Sequence, residues 1–502
     1  MASLPAFGRL VAAGWTLVRA DALIPREIDP VLPAGVRAVA GFLRLFAGRA
    51  AREGRPGERL GRCLEHMGPV AIKLGQFLAT RSDIFGIQFS DDLGRLRDRL
   101  DPFPTDVARA EVEQALGRPL AGFLNEFGDP IAAASLAQAH RAVLADGRIV
   151  AVKVLRPGIE QRVAKDSATL RLAAGLLLGF APALKRLEPK LFTETVIRSL
   201  ELELDLRFEA AGAAEMAEVM GRDAFMTCPK VVWDGVARRV LTLEWADGVP
   251  LSSPASLTLP GLDHRLLADN LIRAFLAQAL DHGVFHADLH EGNLFIDAPA
   301  KLVAVDFGIL GRLGKAERRY LAEILYGFLR KDYARVAAVH FEAGYVPPHH
   351  DVDAFAQSLR AVGEPVFGRA ASAVSMGRLL AQLFDITALF DMHLRPELVL
   401  LQKTMVTVEG VARRIDPSHD LWAAADPIVR RWIARELGPA AKARDFADEG
   451  LRAVRALARL AEEHGAPIVI APPPRPPSRL AWFAVGAAVA GAAFLLARWW
   501  PL

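Results

Sequence analysis

The sequence predicts an α+β fold of two lobes, with a helical N-terminal extension before it and a transmembrane helix at the C-terminus. Three observations indicate this fold. Apolar residues alternate with period two between residues 131 and 155, on both sides of a turn signal, which is typical of a small antiparallel sheet. The flanking regions carry apolar residues at helical spacing instead. Residues 480–497 contain no charge and are long enough to cross a bilayer as a helix.

The predicted organisation has five segments within 502 residues. In chain order they are the helical extension, residues 1–120; a small lobe with inserted helices, 121–248; a helical lobe, 249–470; a proline-rich linker, 471–479; and the transmembrane helix, 480–500. Two cysteines, Cys63 and Cys228, are too few and too far apart for a disulfide framework or a CxxC metal site, which fits a reducing compartment. The net charge of +3 gives no indication of nucleic-acid binding.

The N-terminal segment is predicted to begin with an amphipathic helix. It contains no acid before Asp21, and Arg9 and Arg19 interrupt its apolar runs. This pattern favours a helix that lies on a membrane surface or on the next domain over a signal peptide. Another helix is predicted over residues 69–81, because Pro69 suits the first position of a helix.

The helix over residues 69–81 has two different faces. Lys73, Gln76 and Thr80 lie at i, i+3 and i+7 and share the polar face. Gly75 in the helix interior costs about 1 kcal/mol relative to alanine, so its presence indicates the close approach of another backbone. The alternative interpretation is that the polar face is exposed to solvent and that Gly75 has no particular role.

Two helices, residues 105–116 and 120–127, are predicted before the sheet. The strand pattern follows them, and Asp146-Gly147 is a type I′ turn signal between two strands. The second strand contains Val150-Ala-Val-Lys153, which has the form of the third strand of protein kinases. In kinases that lysine contacts the nucleotide phosphates and pairs with a glutamate on a helix.

The loop before this strand is rich in alanine over residues 132–138, where a kinase has glycine. Alanine does not readily adopt positive φ, so the backbone cannot wrap the phosphates as glycine does. We therefore predict a stiffer, partly helical cover over the phosphates, with altered nucleotide preference. The nucleotide contacts predicted in this loop come from Ala134, Ser135, Ala137 and Gln138. An ordinary β-turn without a ligand is the alternative.

Two long helices, residues 160–180 and 192–220, are predicted next. Residues 240–246 form a further strand with Glu244 near its end. Kinases have the hinge between their lobes at this position, and Glu244 is therefore a candidate nucleotide contact. A helix over residues 264–282 then leads into the next motif.

The second long helix carries three acidic residues that are candidates for the site. Asp205 and Glu209 lie at i and i+4 and share a face, whereas Glu203 lies about 120° around a straight helix from Glu209. If Glu209 pairs with Lys153, Glu203 has to point elsewhere. The helix face that carries Lys73 is a candidate partner for it, and exposure to solvent is the alternative for each of these acids.

Residues 284–311 contain two short apolar strands, each followed by a carboxylate. His286-Ala-Asp288 with Asn293, followed by Asp306-Phe-Gly, has the spacing of the kinase catalytic and metal-binding loops. In kinases the first aspartate takes or orients the acceptor proton, and the asparagine and second aspartate hold magnesium. Ala287 replaces the usual arginine, and no Ala-Pro-Glu follows, so a docking platform for a protein substrate is not predicted.

The rest of the chain is predicted to be helical from about residue 315 to 437. Breaks are expected at the prolines Pro347-Pro348, Pro365 and Pro396. The pair His349-His350 is predicted to belong to a loop rather than to a metal site. Two arginines precede the apolar span and one follows it, which places the N-terminal side of the span in the cytoplasm.

Together these motifs resemble the UbiB family of atypical kinase-like proteins over nearly the whole chain. The motifs that carry the resemblance are Lys73-Leu-Gly-Gln76, Ala134-Ser-Leu-Ala-Gln138, Val150-Ala-Val-Lys153, Glu203-Leu-Asp205 with Glu209, His286-Ala-Asp288 with Asn293, Asp306-Phe-Gly308, and Gly410-Val-Ala-Arg-Arg-Ile-Asp-Pro417. The bacterial members of this family support ubiquinone biosynthesis at the inner membrane. They commonly end in two membrane spans, whereas this sequence contains one convincing span.

The resemblance implies a site for ATP or ADP with Mg²⁺, and ATP hydrolysis rather than protein phosphorylation. It implies that the helix with Lys73 and Gln76 folds over the active site and gates it through Glu203 and Asp205. The other roles that it implies are nucleotide binding by Lys153 with Glu209, magnesium binding by Asn293 and Asp306, and catalysis by Asp288.

The sequence thus predicts an atypical kinase or ATPase that is anchored in the bacterial inner membrane, with the kinase-like domain on the cytoplasmic side. Membrane lipids, quinone precursors and other enzymes of ubiquinone biosynthesis are the predicted partners, and nucleic acid is not. One alternative is a small-molecule kinase resembling the aminoglycoside phosphotransferases, against which Lys73 and the Glu203-Leu-Asp205 motif weigh. The other is a non-catalytic, nucleotide-sensing scaffold, against which the intact set of Asp288, Asn293 and Asp306 weighs.

Overall fold

Helices precede a four-stranded sheet, and smaller sheets and further helices follow it. The computed structural model of the chain describes residues 4–27, 34–79, 86–94, 96, 101–180, 188–367, 386, 389–392 and 396–438. The chain divides into two compact units, residues 1–434 and 435–502. The second unit lies almost wholly outside the described residues, so the structural description concerns the first.

The N-terminal extension consists of helices and short connecting turns in its described part. Its helices are α1 (Leu4–Arg19), α2 (Ala34–Leu43), α3 (Pro56–Met67), α4 (Pro69–Ala79), α5 (Ile87–Gly94) and α6 (Thr105–Leu116), with 3₁₀ turns at Arg44–Phe46 and Arg49–Arg52. Pro56 and Pro69 stand at the first positions of α3 and α4, where the missing N–H has no intrahelical partner to lose. A Cβ on Gly75 would meet the side chains of Leu96 and Leu64, so the predicted close approach is by side chains rather than by a backbone.

Four antiparallel strands form the main sheet in the order β1 (Leu124–Ala133), β2 (Ala137–Leu144), β3 (Ile149–Leu155) and β4 (Val240–Glu244). The predicted helix over residues 120–127 is wrong, because β1 already begins at Leu124. Leu124 pairs with Leu144, and both are buried in the core beneath the sheet. Cross-strand pairing and burial therefore override the local helical pattern.

Three helices lie between β3 and β4, namely α7 (Ile159–Phe180), α8 (Pro189–Glu203) and α9 (Leu206–Met220). The single helix predicted over residues 192–220 is therefore wrong. Asp205 has extended dihedral angles (φ −124°, ψ 92°), and its side chain caps α9 by accepting a hydrogen bond from the Arg207 N–H. The chain therefore changes direction between Glu203 and Glu209, and Asp205 does not share a helix face with Glu209.

Short strands and a helix carry the catalytic and metal-binding motifs. The elements are α10 (His264–Ala277), which continues as a π-helical turn over Gln278–His282, and the strands β5 (Val249–Pro250), β6 (Val284–His286), β7 (Leu294–Asp297), β8 (Lys301–Ala304) and β9 (Leu310–Arg312). They form one sheet in the order β5-β7-β8 and a ribbon of β6 and β9. Asp288 and Asn293 thus follow β6, and Asp306 follows β8.

The described C-terminal helices are α11 (Lys315–Arg330), α12 (Tyr333–Glu342), α13 (Val352–Phe367), α14 (Pro396–Ile415) and α15 (Leu421–Glu436). Helix α13 continues past the predicted break at Pro365 to Phe367, and residues 368–385 lie outside the described ranges. An unpredicted break separates α11 from α12, where Lys331 adopts φ 57° and Asp332 caps α12. Helix α14 packs on α10 and reaches β9.

Within the ranges that the structure describes, every helix is too short or too polar to cross a bilayer. The predicted membrane span, residues 480–500, and the predicted linker, residues 471–479, lie outside those ranges.

Candidate functional site

The centre of the site is an ion pair between β3 and α9. The Lys153 ammonium donates hydrogen bonds to Glu209 Oε1 and Oε2 at 2.7 and 2.8 Å. Lys153 is held in register by its neighbours on both sides of β3, opposite Ala139 and Leu241. Glu209 lies in the first turn of α9, which packs against β4. The predicted lysine–glutamate pair is therefore present.

Asp306 brings a second carboxylate to the same ammonium group. Its Oδ1 lies 3.8 Å from Lys153 Nζ and accepts a hydrogen bond from the Gly308 N–H at 3.3 Å. The residue adopts φ 64°, which is strained for a residue with a side chain and is typical of functional loops. Helix α9 approaches this loop at Gly212, where a Cβ would lie 3.1 Å from the Phe307 carbonyl oxygen.

The charges of these three groups depend on one another. Burial acts to lower the pKa of the Lys153 ammonium, but the carboxylates of Asp306 and Glu209 outweigh it and raise that pKa above its ordinary value. The Lys153 ammonium in turn lowers the pKa of Asp306. Burial raises the pKa of Glu209, and the Lys153 ammonium opposes this effect. Lys153 and Asp306 are thus held in their charged forms at neutral pH.

His286 connects the catalytic loop to the metal-binding loop. Its Nδ1 accepts a hydrogen bond from the Asp288 N–H at 3.1 Å, so its Nε2 carries the proton and donates to the Val305 carbonyl oxygen, also at 3.1 Å. The side chain is fully buried, and burial lowers the pKa of its imidazole. A neutral histidine with a fixed tautomer therefore positions Asp288 relative to Asp306.

Asn293 closes the catalytic loop on itself. Its Nδ2 donates a hydrogen bond to the Asp288 carbonyl oxygen at 3.1 Å, and its own carbonyl oxygen accepts one from the Val305 N–H at 2.9 Å. The Nδ2 bond orients the side-chain amide, and the bond to the Asn293 backbone carbonyl places the residue beside the start of the metal-binding loop. Asp288 itself lies with its Oδ2 3.7 Å from His290 Nε2.

The donor set and the local charge suit a magnesium ion. The amide oxygen of Asn293 and the carboxylate of Asp306 are hard oxygen ligands, which Mg²⁺ prefers. Asp306 and Glu209 converge on the single Lys153 ammonium, so carboxylates outnumber cations at this point of the site.

Two contacts from α14 support the catalytic loop. Thr404 belongs to no motif noted in the sequence, whereas Arg414 lies within the motif Gly410–Pro417. The buried Thr404 hydroxyl lies 3.0 Å from the Ala287 carbonyl oxygen and 2.8 Å from that of Leu400. Arg414 forms an ion pair with Glu291 in the same loop. Both contacts join residues more than a hundred positions apart, so local patterns could not predict them.

The predicted gate contains an ion pair between Lys73 on α4 and Glu203 at the end of α8. Glu203 also raises the pKa of Lys153 and Glu209, as one contributor among several, which places the gate beside the central ion pair. Gln76 lies on the same helix and is half-buried, whereas Thr80 lies outside the described residues. The role of the pair as a gate stays a prediction.

Asp205 is placed differently from its predicted role. Its carboxylate accepts hydrogen bonds from Arg207 Nε and Nη2 at 2.8 and 2.6 Å, and these bonds lower its pKa. It also caps α9, as described above. The structure therefore gives Asp205 a helix-capping contact and leaves Glu203 as the acid that faces Lys73.

The alanine-rich loop is a tight hairpin turn between β1 and β2, so the prediction of a partly helical cover is wrong. The Ala134 N–H donates to the Ala137 carbonyl oxygen at 2.8 Å. Arg156 holds the turn through its N–H, which donates to Leu136 O at 2.8 Å, and through its Nε, which donates to Ala134 O at 2.9 Å. Ser135 is buried beneath the turn. The strand ladder runs to the end of the hairpin and leaves no room for a helical turn.

Gln138 connects the sheet to the N-terminal extension. Its Oε1 accepts from the Phe103 N–H at 2.8 Å, and its Nε2 donates to the Phe103 carbonyl oxygen at 3.0 Å. These hydrogen bonds serve the junction, and they give no support to the predicted nucleotide contact of Gln138. Glu244 stands at the end of β4, where it pairs with Arg148 at 3.1 Å beside the β2–β3 turn.

Comparisons with known proteins agree with this geometry. The chain matches the ABC1 atypical kinase-like domain over residues 95–340 and the UbiB helical domain over residues 359–420. A protein of Marinobacter nauticus named probable protein kinase UbiB is 39% identical over 388 residues, which are 76% of this chain and 71% of that relative. A Xylella fastidiosa protein of the same name is 37% identical over 390 residues, with the same shares of the two chains.

The fold also resembles a solved structure. A Mycobacterium tuberculosis protein that was solved as a complex with erythromycin has a TM-score of 0.52 to this chain at 22% sequence identity. The match covers 79% of this chain and 98% of that one, and it shows a shared kinase-like fold of helices and sheets. The two domain matches and the two bacterial relatives establish that this chain belongs to the ABC1/UbiB family of atypical kinase-like proteins.

Proposed function

We propose that the chain binds ATP or ADP with Mg²⁺ and cleaves the terminal phosphoryl bond, in support of ubiquinone biosynthesis at the cytoplasmic face of the bacterial inner membrane. The observation that carries the proposal is the convergence of Glu209 and Asp306 on the Lys153 ammonium, at 2.7 and 3.8 Å. This arrangement pairs a phosphate-binding cation with a metal-binding carboxylate, as phosphoryl transfer requires. The pathway rests on the name of the relatives.

Each residue of the site has a defined task in this proposal. Lys153, held by Glu209, would bind the α- and β-phosphates, and Asn293 and Asp306 would hold the metal. When bound, Mg²⁺ would neutralise charge on the phosphate oxygens. Asp288, whose backbone is fixed by the neutral His286, would orient the attacking hydroxyl or water and accept its proton.

The surroundings of the site favour ATP hydrolysis or a small acceptor over a protein substrate. Only residues 309–314 separate the metal-binding loop from α11, and β9 occupies most of them. An activation loop on which a peptide could dock has no place there. On the opposite side, α4 is fixed to α8 by the Lys73–Glu203 ion pair. The quinone precursors that we propose as partners are small, apolar molecules, and they do not need a loop on which a peptide docks.

The proposal is tested by magnesium-dependent ATP hydrolysis of the full chain in phospholipid vesicles, with and without a phenolic lipid analogue. We expect Asp306→Asn and Asp288→Asn to reduce turnover by orders of magnitude, because each removes a charge from the site. Glu215→Gln is the matched control, since Glu215 lies on the same helix as Glu209 but pairs with Arg312 at the surface.

Three results would contradict the proposal in different ways. Equal inactivity of the wild type and Asp306→Asn, together with equal rescue of quinone synthesis in deficient cells, would identify a non-catalytic scaffold. Transfer of the phosphoryl group to a soluble metabolite would identify a small-molecule kinase. Unchanged quinone levels both in cells that carry Asp306→Asn and in cells that carry Lys73→Ala would remove the assignment to the ubiquinone pathway.

A further inference from the structure

Helix α1 exposes three large apolar residues on one side. Phe7, Val11 and Trp15 lie at i, i+4 and i+8 and are 57%, 56% and 50% exposed. Ala6 and Val18, by contrast, are buried. A helix that only covers a core shows the opposite arrangement, with its large apolar residues inside. The outward side of α1 is therefore built for contact with another apolar surface.

The next helical segment repeats this arrangement. Helix α2 buries Ala40, and the 3₁₀ turn after α2 buries none of its residues. The large apolar side chains that this segment exposes, at 41% to 77% of their area, are Val36, Val39, Phe42, Leu45 and Phe46. Two consecutive segments thus present large apolar groups to the outside.

Ring contacts join the two segments into one surface. The Phe46 ring lies 5.6 Å from that of Trp15 on α1 and 5.6 Å from that of Phe42 on α2. The opposite side of α1 is fixed to α7, where Arg9 Nε donates to Thr169 Oγ1 at 3.1 Å. We name the joined surface, from Phe7 to Phe46, the aromatic face. A contiguous apolar patch of this kind on a folded protein marks a binding surface.

The charge around the aromatic face is positive. Residues 4–19 and 34–46 contain no acid, and residues 1–52 contain seven arginines against three acids. This excess of four positive charges exceeds the net charge of +3 of the whole chain. A cavity of about 380 Å³ adjoins the exposed 3₁₀ turn and is lined by Arg26, Arg44, Ala47, Gly48 and Ala51. Both of these arginines contact the buried Asp21 carboxylate, which offsets one of their two positive charges. The surface therefore suits an apolar partner that carries anions.

The same charge pattern disfavours two other partners for the aromatic face, namely a second copy of the chain and the chain's own C-terminal segment. A second copy of the chain would bring its own arginines against these ones in a symmetric contact. The apolar C-terminal segment of this chain has no acid after Glu463 and carries Arg475, Arg479 and Arg498. Neither surface offers the negative groups that would complement the rim of the aromatic face.

We propose that the aromatic face docks on the surface of an anionic phospholipid bilayer. Tryptophan and phenylalanine rings favour the boundary between headgroups and acyl chains, and arginines favour lipid phosphates. Helices α1 and α2 lie in the plane of that boundary, with the exposed Arg19 and Arg37 at headgroup level. This membrane contact is separate from the predicted C-terminal span and does not depend on the nucleotide chemistry.

The test uses single cysteines labelled with an environment-sensitive fluorophore in the full chain. Val11→Cys and Phe42→Cys place the label on the aromatic face, and Ile131→Cys places it on the comparably exposed strand β1. The wild-type chain, labelled in the same way, gives the background from Cys63 and Cys228. The labelled proteins are reconstituted into vesicles of phosphatidylcholine, with or without phosphatidylglycerol, and with or without a lipid-borne quencher.

We expect blue-shifted emission at positions 11 and 42 and several-fold stronger quenching there than at position 131. The quenching at positions 11 and 42 should be stronger when phosphatidylglycerol is present. Water-like emission at positions 11 and 42 would overturn the proposal. A blue shift without quenching by lipid would also overturn it, because a protein segment or a second copy would then cover the face. Equal quenching with and without phosphatidylglycerol would remove the proposed role of the arginines.

Discussion

The Lys153 ammonium donates hydrogen bonds to both carboxylate oxygens of Glu209, at 2.7 and 2.8 Å. This contact joins the main sheet to α9 and presents the cation next to Asp306 at the same time. One pair of side chains thus contributes to both the packing and the chemistry of the site.

Glu209→Gln tests both contributions. The substitution keeps the shape but leaves the Lys153 ammonium without one of its two anions, so we expect a loss of about 1–3 kcal/mol in the free energy of unfolding. Nucleotide affinity should also fall, because the lysine would be less well positioned. Chemical denaturation and fluorescent-nucleotide titration measure the two effects. Glu215→Gln, at the exposed pair with Arg312, should lose less than about 1 kcal/mol. Equal losses in the two variants would contradict the importance of the central pair.

The Lys73–Glu203 ion pair should show a measurable coupling energy. Both side chains are largely buried, at 12% and 23% exposure, so a double-mutant cycle with Lys73→Met and Glu203→Gln should give about 1–3 kcal/mol. The exposed pair of Arg171 and Glu194, treated in the same way, should give about 0–1 kcal/mol. A coupling at Lys73 no larger than at this surface pair would show that α4 is not held in place by its lysine.

Gln138→Leu should act on stability more than on nucleotide binding. It removes two hydrogen bonds to the Phe103 backbone and leaves those groups partly buried, at a cost of about 1–3 kcal/mol in unfolding free energy. Nucleotide affinity should change less than twofold. A variant of normal stability with strongly reduced affinity would instead restore the prediction that Gln138 contacts the nucleotide.

Thr404→Val tests the support that α14 gives to the catalytic loop. The substitution preserves volume but removes the hydroxyl beside the Ala287 carbonyl oxygen. We expect a several-fold fall in kcat with little change in KM, because the loop with Asp288 would be less well positioned. Thr404→Ser should restore most of the rate. Failure of serine to rescue, or a fall in stability that accounts for the lost activity, would point to packing alone.

His340 should make stability depend on pH. Burial lowers the pKa of its imidazole to about 4 in α12, whereas an unfolded histidine takes up a proton near pH 6.5. The unfolded state therefore binds more protons between these values, and stability falls as the pH falls from about 6.5 towards 4, by up to about 3 kcal/mol. His340→Gln should flatten this part of the profile. His349→Gln, at an exposed histidine, should leave it unchanged.

Residues whose spacing along the chain is set by the chemistry of the site could be predicted from the sequence. Residues that act through packing could not. The intervals around Asp288, Asn293 and Asp306 are set by the chemistry of phosphates and metal, and the structure brings these loops to Lys153 as the order of the motifs implied. Thr404 carries no such pattern, because its contact with the catalytic loop depends on how α14 packs.

The errors in secondary structure have physical causes of the same kind. Residues 120–127 have a helical pattern, but pairing with β2 places Leu124 in a strand. The helix predicted over residues 192–220 ignored the capping ability of Asp205, although a short acidic side chain before a helix is a signal that could have been used. Propensity alone does not decide such positions.

The break at Asp205 has a consequence for the kinds of sequence change that this site tolerates. Glu203 and Glu209 stand on either side of it and each faces a different lysine. A single inserted or deleted residue in α9 before Glu209 would rotate that carboxylate by about 100° around its helix. Lys73 and Lys153 could then no longer both find their partners. We therefore expect an insertion or deletion in this segment to disrupt the site, even where every residue of the motifs is kept.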